Sequence, residues 1–134
     1  IARACPLFVP LVENGRFSPD DKVVQLIVEE YLSDIKDFGV DTLILGCTHY
    51  PIIRELIASV SAEVLGKSPR IIDAGYEAAL AAKELLSAKN VLNDSAEKGS
   101  VRYFVSDETQ NFTAVASIFL GEPAENVKKV VLGS

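Results

Sequence analysis

Between Val24 and Phe38 the apolar residues Val24, Ile27, Val28, Tyr31, Ile35 and Phe38 recur at spacings of three and four. Glu29, Glu30, Asp34 and Lys36 fall mostly off that stripe. The period predicts an amphipathic helix. Ser18 or Asp20 is expected to cap its start, with Pro19 near the first turn, and Gly39 to end it. A second helix is expected to open at Pro51, with Ile52, Ile53, Leu56, Ile57 and Val60 as its buried side. An Ala-rich helix is predicted from Gly75 to Ala88, and another over 108–120, ended by Gly121.

Shorter apolar runs read as strands. Residues 41–46 (DTLILG) have the continuous apolar character of a strand buried on both faces of a parallel sheet. Residues 70–73 (RIID) and 101–105 (VRYFV) predict two more, and the tail VKKVVL is expected either to add a last strand or to fray. The run 5–12 (CPLFVPLV) contains Pro6 and Pro10, so it reads as a short edge-like or irregular strand. Residues 13–21 and 90–99 are polar and loop-like. Alternating strands and helices imply an α/β fold of parallel-sheet βαβ units with flanking helices. Ligands in such folds sit at the carboxyl ends of strands. A composition shift at GKSPR, 66–70, marks a lobe boundary.

The chain has 134 residues, 49% hydrophobic and 24% charged, which suits one compact domain or two small lobes and excludes a disordered chain. Its 19 acidic against 13 basic residues give a net charge of -6, which disfavours a nucleic-acid partner. Apolar stretches such as 78–82 and 115–120 are far too short to span a bilayer, so no membrane role is expected. Two cysteines and one histidine make neither a disulfide framework nor a zinc site. Residues 1–15 lack the pattern of a signal peptide, and a reducing cytoplasm is the expected setting. The chain lacks Met and opens with Ile1, which suggests an internal cut.

The segment LILGCTHYP, Leu43 to Pro51, carries the candidate chemistry. A buried strand ends at Gly46, and Cys47, Thr48 and His49 fall on the turn before a Pro-started helix. A helix start favours thiolate over thiol. Its N–H groups, with the Thr48 hydroxyl, can hold a carboxylate. Histidine is the side chain suited to proton exchange near neutral pH, so His49 can exchange protons with the thiol or its substrate. The rival reading makes Cys47 a small buried apolar residue.

LILGCTHYP resembles the second cysteine motif of glutamate racemases, in the aspartate/glutamate racemase superfamily. ACPLFVPLVE, Ala4 to Glu13, is similar to that family's upstream segment, and IIDAG, Ile71 to Gly75, to its downstream strand-to-helix turn. The resemblance covers nearly the whole chain. Ala74 departs from the family's usual Ser, and the family's first half, with its other cysteine, has no counterpart here. The resemblance implies part of a two-lobed racemase fold, with residues 1–69 in one lobe and 70–134 returning to the other.

The implied reaction is cofactor-independent interconversion of L- and D-glutamate by two thiols on opposite faces of the α-carbon. Cys47 would act on L-glutamate, with His49 as its proton partner. Thr48 would bind the substrate carboxylate. Glu13 would lie near the site and help position or exchange charge with the substrate ammonium, or else simply be solvated. D-glutamate would supply bacterial peptidoglycan. The implied partner is a small-molecule substrate, and a homo-oligomer is expected. Cys5 and Tyr50 read as packing residues, and Asp73 as either a helix cap or a ligand. The isolated chain is expected to be inactive. The rival functions are another racemase, such as one for aspartate, and a non-catalytic self-associating fragment.

Overall fold

The computed structural model describes residues 1–97, 99–107, 112–131 and 133. The chain divides into two compact units, Ile1–Leu92 and Asn93–Ser134. The first carries the candidate site.

Helix α1 spans Phe8–Glu13, where an irregular strand was expected. Pro10 is the third residue of this helix, and the first turn's N–H groups have no intrahelical acceptor, so its missing donor costs no bond. Phe8 and Val12, one turn apart, are both buried. The helix ends directly after Glu13: Gly15 takes φ +76° and donates its N–H to the Val12 carbonyl.

Helix α2, Lys22–Ser33, buries Val24, Val28, Tyr31 and Leu32. Its cap is Asp21 rather than Ser18 or Asp20. The Asp21 carboxylate accepts from the N–H groups of Val23 and Val24 at 3.0 and 3.3 Å. Arg16 fixes that carboxylate with two further bonds, of 2.9 and 2.7 Å. Pro19 lies in the preceding turn, and its carbonyl accepts from the Gln25 side chain. The helix stops at Ser33. A 3₁₀ turn, Lys36–Phe38, follows and ends at Gly39 in the left-handed region, φ +66°. Ile35 continues the buried stripe, but Phe38 is 66% exposed.

Strand β1, Thr42–Leu45, pairs in parallel with β2, Arg70–Asp73, matching Thr42 with Arg70 and Leu45 with Asp73. Between them lie a 3₁₀ turn, Tyr50–Ile53, and helix α3, Arg54–Val64, which completes a βαβ unit. α3 packs on α2 and buries Leu56, Ile57, Val60 and Ser61. The Ser61 hydroxyl is satisfied by donating to the Ile57 carbonyl at 2.6 Å. Burial of β1 on both faces, expected from its apolar run, is not found. Leu45 is buried, but Ile44 on the opposite face is 67% exposed. Alternate side chains of a strand point to opposite faces, and only one face of β1 meets the core.

Helix α4, Ala74–Ala88, follows β2 and has no buried residue. Asp73 caps it, accepting from the N–H groups of Gly75 and Tyr76 at 2.9 and 3.1 Å. In the second unit β3, Tyr103–Val105, pairs in parallel with β4, Val127–Lys129. Helix α5, Phe112–Leu120, lies between them in sequence, so the tail does add a strand. The start of the helix expected over 108–120 lies outside the described residues. The structure is thus α/β with two parallel strand pairs.

Candidate active site

The carboxyl end of β1 delivers Gly46 and Cys47 to the turn that precedes the 3₁₀ segment. Helix α3 itself begins only at Arg54, seven positions after Cys47, so the expected α-helix start beside the thiol is replaced by a tighter turn. Pro51 is the second residue of that 3₁₀ segment and has no N–H to donate. The turn closes by i to i+3 bonds, from the Tyr50 N–H to the Cys47 carbonyl and from the Ile52 N–H to the His49 carbonyl, each 3.2 Å.

His49 is the centre of the cluster. Its Nε2 lies 3.0 Å from Glu13 Oε1, at the end of α1. Its Nδ1 lies 3.9 Å from Cys47 Sγ and 3.3 Å from Thr48 Oγ1. A carboxylate only accepts, so Nε2 carries the proton and donates to Glu13. Nδ1 of the neutral ring is then the lone-pair nitrogen, accepting from the Cys47 thiol or the Thr48 hydroxyl. Proton transfer from sulfur would leave a thiolate beside an imidazolium, whose far nitrogen is already bound to a carboxylate. The His49 side chain is 17% exposed and that of Glu13 47% exposed, so the carboxylate is the more solvated end of the pair.

All four sequence candidates, Cys47, Thr48, His49 and Glu13, therefore meet in one place. The pairing of Glu13 with His49 was not foreseen. No local pattern announces a contact between residues 36 positions apart. Asp73 stands opposite Leu45 in the sheet register, at the same strand end as the thiol, with its side chain engaged as the α4 cap.

Cys5 sits in different surroundings. Burial pushes its thiol above the ordinary value, and Arg3 offsets this only in part. Its carbonyl accepts the Tyr50 hydroxyl at 3.2 Å. The Tyr50 ring packs edge-on against Phe8, which in turn packs edge-on against Tyr31, both at 5.2 Å between centroids.

Among the described residues no group of three or more His, Cys, Asp or Glu side chains could hold a metal ion. Nor, among them, is any helix long and apolar enough to cross a membrane.

No family model matches the chain. Curated relatives do. The glutamate racemase of Geobacter metallireducens is 40% identical over 132 residues, covering 98% of this chain and 47% of that protein. That of Chlorobaculum tepidum is 42% identical over 128 residues, covering 96% of this chain and 45% of that protein. Among solved structures, the glutamate racemase of Francisella tularensis in complex with D-glutamate superposes with a TM-score of 0.79 at 34% identity, covering 96% of this chain and 46% of that one. The Thermus thermophilus enzyme in complex with β-chloro-D-alanine gives 0.80 at 38% identity, covering 98% and 47%. The chain spans about half the length of the curated relatives it matches. Over nearly its whole length the chain is similar to glutamate racemases, and it corresponds to the C-terminal half of those relatives.

Proposed function

We propose that this chain is the C-terminal part of a cofactor-independent glutamate racemase and supplies one of its two proton-transfer thiols, Cys47. The observation that carries this reading is the run of contacts from Glu13 through His49 to Cys47. Racemisation needs a base on one face of the α-carbon and an acid on the other. With Nε2–H held by Glu13, His49 Nδ1 accepts the Cys47 proton, and the thiolate removes the α-proton of L-glutamate. In the reverse direction the Cys47 thiol protonates the α-carbon and recovers its proton from His49. Glu13 stabilises the imidazolium in both directions, rather than meeting the substrate ammonium. Thr48 binds the substrate carboxylate through its amide and hydroxyl.

The second thiol belongs to the part of the longer protein outside this chain, in a two-lobed enzyme whose site lies between the lobes. In this reading the chain crosses from one lobe to the other downstream of the Cys47 segment. The product supplies bacterial peptidoglycan, the enzyme works in the cytoplasm, and it assembles as a homo-oligomer. The D-glutamate bound in the Francisella tularensis relative supports the choice of substrate.

Polarimetry on the longer protein tests the reading. It should racemise glutamate, and Cys47→Ala should lower turnover by at least ~10²–10⁴, the typical contribution of a positioned acid–base group. Turnover retained in Cys47→Ala, or racemisation of aspartate in preference to glutamate, would overturn it.

A further inference from the structure

Two consecutive residues, His49 and Tyr50, reach opposite ends of the six-residue helix α1. His49 bonds Glu13 at the last position of the helix. Tyr50 holds its start. The phenol donates to the Cys5 carbonyl at 3.2 Å, and the ring meets Phe8, the first helical residue, edge-on at 88°. The Cys5 carbonyl also accepts the Phe8 N–H at 3.2 Å, so the phenol bears directly on the turn leading into the helix.

A helix this short has no stability of its own, and its direction is set by what it packs against. The Glu13 side chain is 47% exposed, so water competes for its carboxylate. An exposed ion pair contributes little unless its geometry is imposed from outside. Tyr50 is well placed to impose it, because it is covalently next to His49. Burial pushes the Tyr50 phenol above its ordinary value, so it remains protonated and a donor through the neutral range.

We infer that Tyr50 is a positioning residue: by pinning Cys5 and Phe8 at the start of α1, it holds the Glu13 carboxylate within bonding distance of His49 Nε2. This role rests on the reading of Glu13, His49 and Cys47 as a proton-transfer unit, and the Tyr50 phenol gives its hydrogen bond to the Cys5 carbonyl, outside that unit.

The chain has one histidine, so its ring signals in a ¹⁵N-labelled sample are unambiguous. The probe is the water-exchange rate of the His49 Nε2 proton, which the bond to Glu13 slows. Tyr50→Phe keeps the ring against Phe8 and removes only the hydroxyl. It should speed that exchange about fivefold, the factor for losing one net hydrogen bond. Phe8→Leu keeps the hydroxyl bond, removes the edge contact, and should move the rate in the same direction. Glu13→Gln should accelerate exchange at least as much, and Glu13→Gln with Tyr50→Phe should be no faster than Glu13→Gln alone. A wild-type rate in Tyr50→Phe, with a raised rate in Glu13→Gln, would remove the role of Tyr50 and leave the Glu13–His49 pair standing. Wild-type rates in all the variants would remove the pair itself, and the positioning role with it.

Discussion

Glu13 and His49 stand 36 positions apart in the chain and 3.0 Å apart in space. The bond joins the end of a short helix to the turn after a parallel strand, and it fixes which nitrogen of the imidazole faces Cys47. Removing either partner should therefore act on the thiol without touching it.

In the longer protein, His49→Asn removes the group that takes the Cys47 proton in the proposed mechanism. Turnover should fall by about 10²-fold or more, as for loss of a positioned acid–base group. The fall in kcat should be larger with L-glutamate than with D-glutamate, because in the proposed mechanism Cys47 is the base in that direction. The two enantiomers are equal in free energy in water, so kcat/KM must stay equal for both and KM must compensate. Glu13→Gln should give a smaller loss with the same directional bias. Initial rates measured with each enantiomer check this, and equal falls in both kcat values would reduce His49 to a binding residue.

The two cysteines should differ in reactivity. Burial raises the Cys5 thiol, so less of it is thiolate at neutral pH. Cys47 has a histidine nitrogen 3.9 Å away to accept its proton. Brief iodoacetamide treatment at pH 7.5, followed by peptide mapping, should show Cys47 labelled first. Faster labelling of Cys5 would contradict the assignment.

The cap of α2 predicts an acid-sensitive step in stability. The hydrogen bond from Arg16, foremost, and those from the Val24 and Val23 amides hold the Asp21 carboxyl below its ordinary value. A group with a depressed folded pKa stabilises the fold fully above its unfolded pKa, about 3.9. That contribution is lost as pH falls through the lower folded value. Asp21→Asn should thus melt below the wild-type chain at pH 7, and the gap should narrow below about pH 4. Thermal melts across that range measure it, and a gap independent of pH would mean that the charge of Asp21 does no work at the cap.

Much of this architecture is legible from periodicity, and what is not has identifiable physical causes. The α2 stripe, α4 and the β2 strand stand near their expected places because each repeats one local signal over several residues. Helix α1 was hidden by Pro6 and Pro10, which read as strand-edge residues until Pro10 is seen in a first turn. The cap went to Asp21 because Arg16 could reach its carboxylate, a pairing no periodicity encodes. Cys47, Thr48 and His49 were visible as a contiguous motif. Glu13 was visible only by resemblance, and its partner only in three dimensions.

The 134-residue chain by itself should not racemise glutamate. In the proposed mechanism the Cys47 relay serves one face of the α-carbon, and Cys5 lies in an apolar setting with its thiol raised by burial. The exposed Ile44 on β1 and Phe104 on β3 should favour self-association. Light scattering on a sizing column should show species larger than a monomer, and polarimetry over hours should show no rotation change. Turnover near that of the longer enzyme would mean that the chain completes a two-sided site alone or through a second copy.

The central claim is that Cys47 moves the α-proton of L-glutamate, and deuterium exchange tests it most directly. The longer protein, incubated with L-glutamate in D₂O, should replace the α-proton at a rate followed by the loss of its ¹H signal. In Cys47→Ala that loss should slow by at least ~10²-fold. Exchange from L-glutamate that continues undiminished in Cys47→Ala would contradict the account.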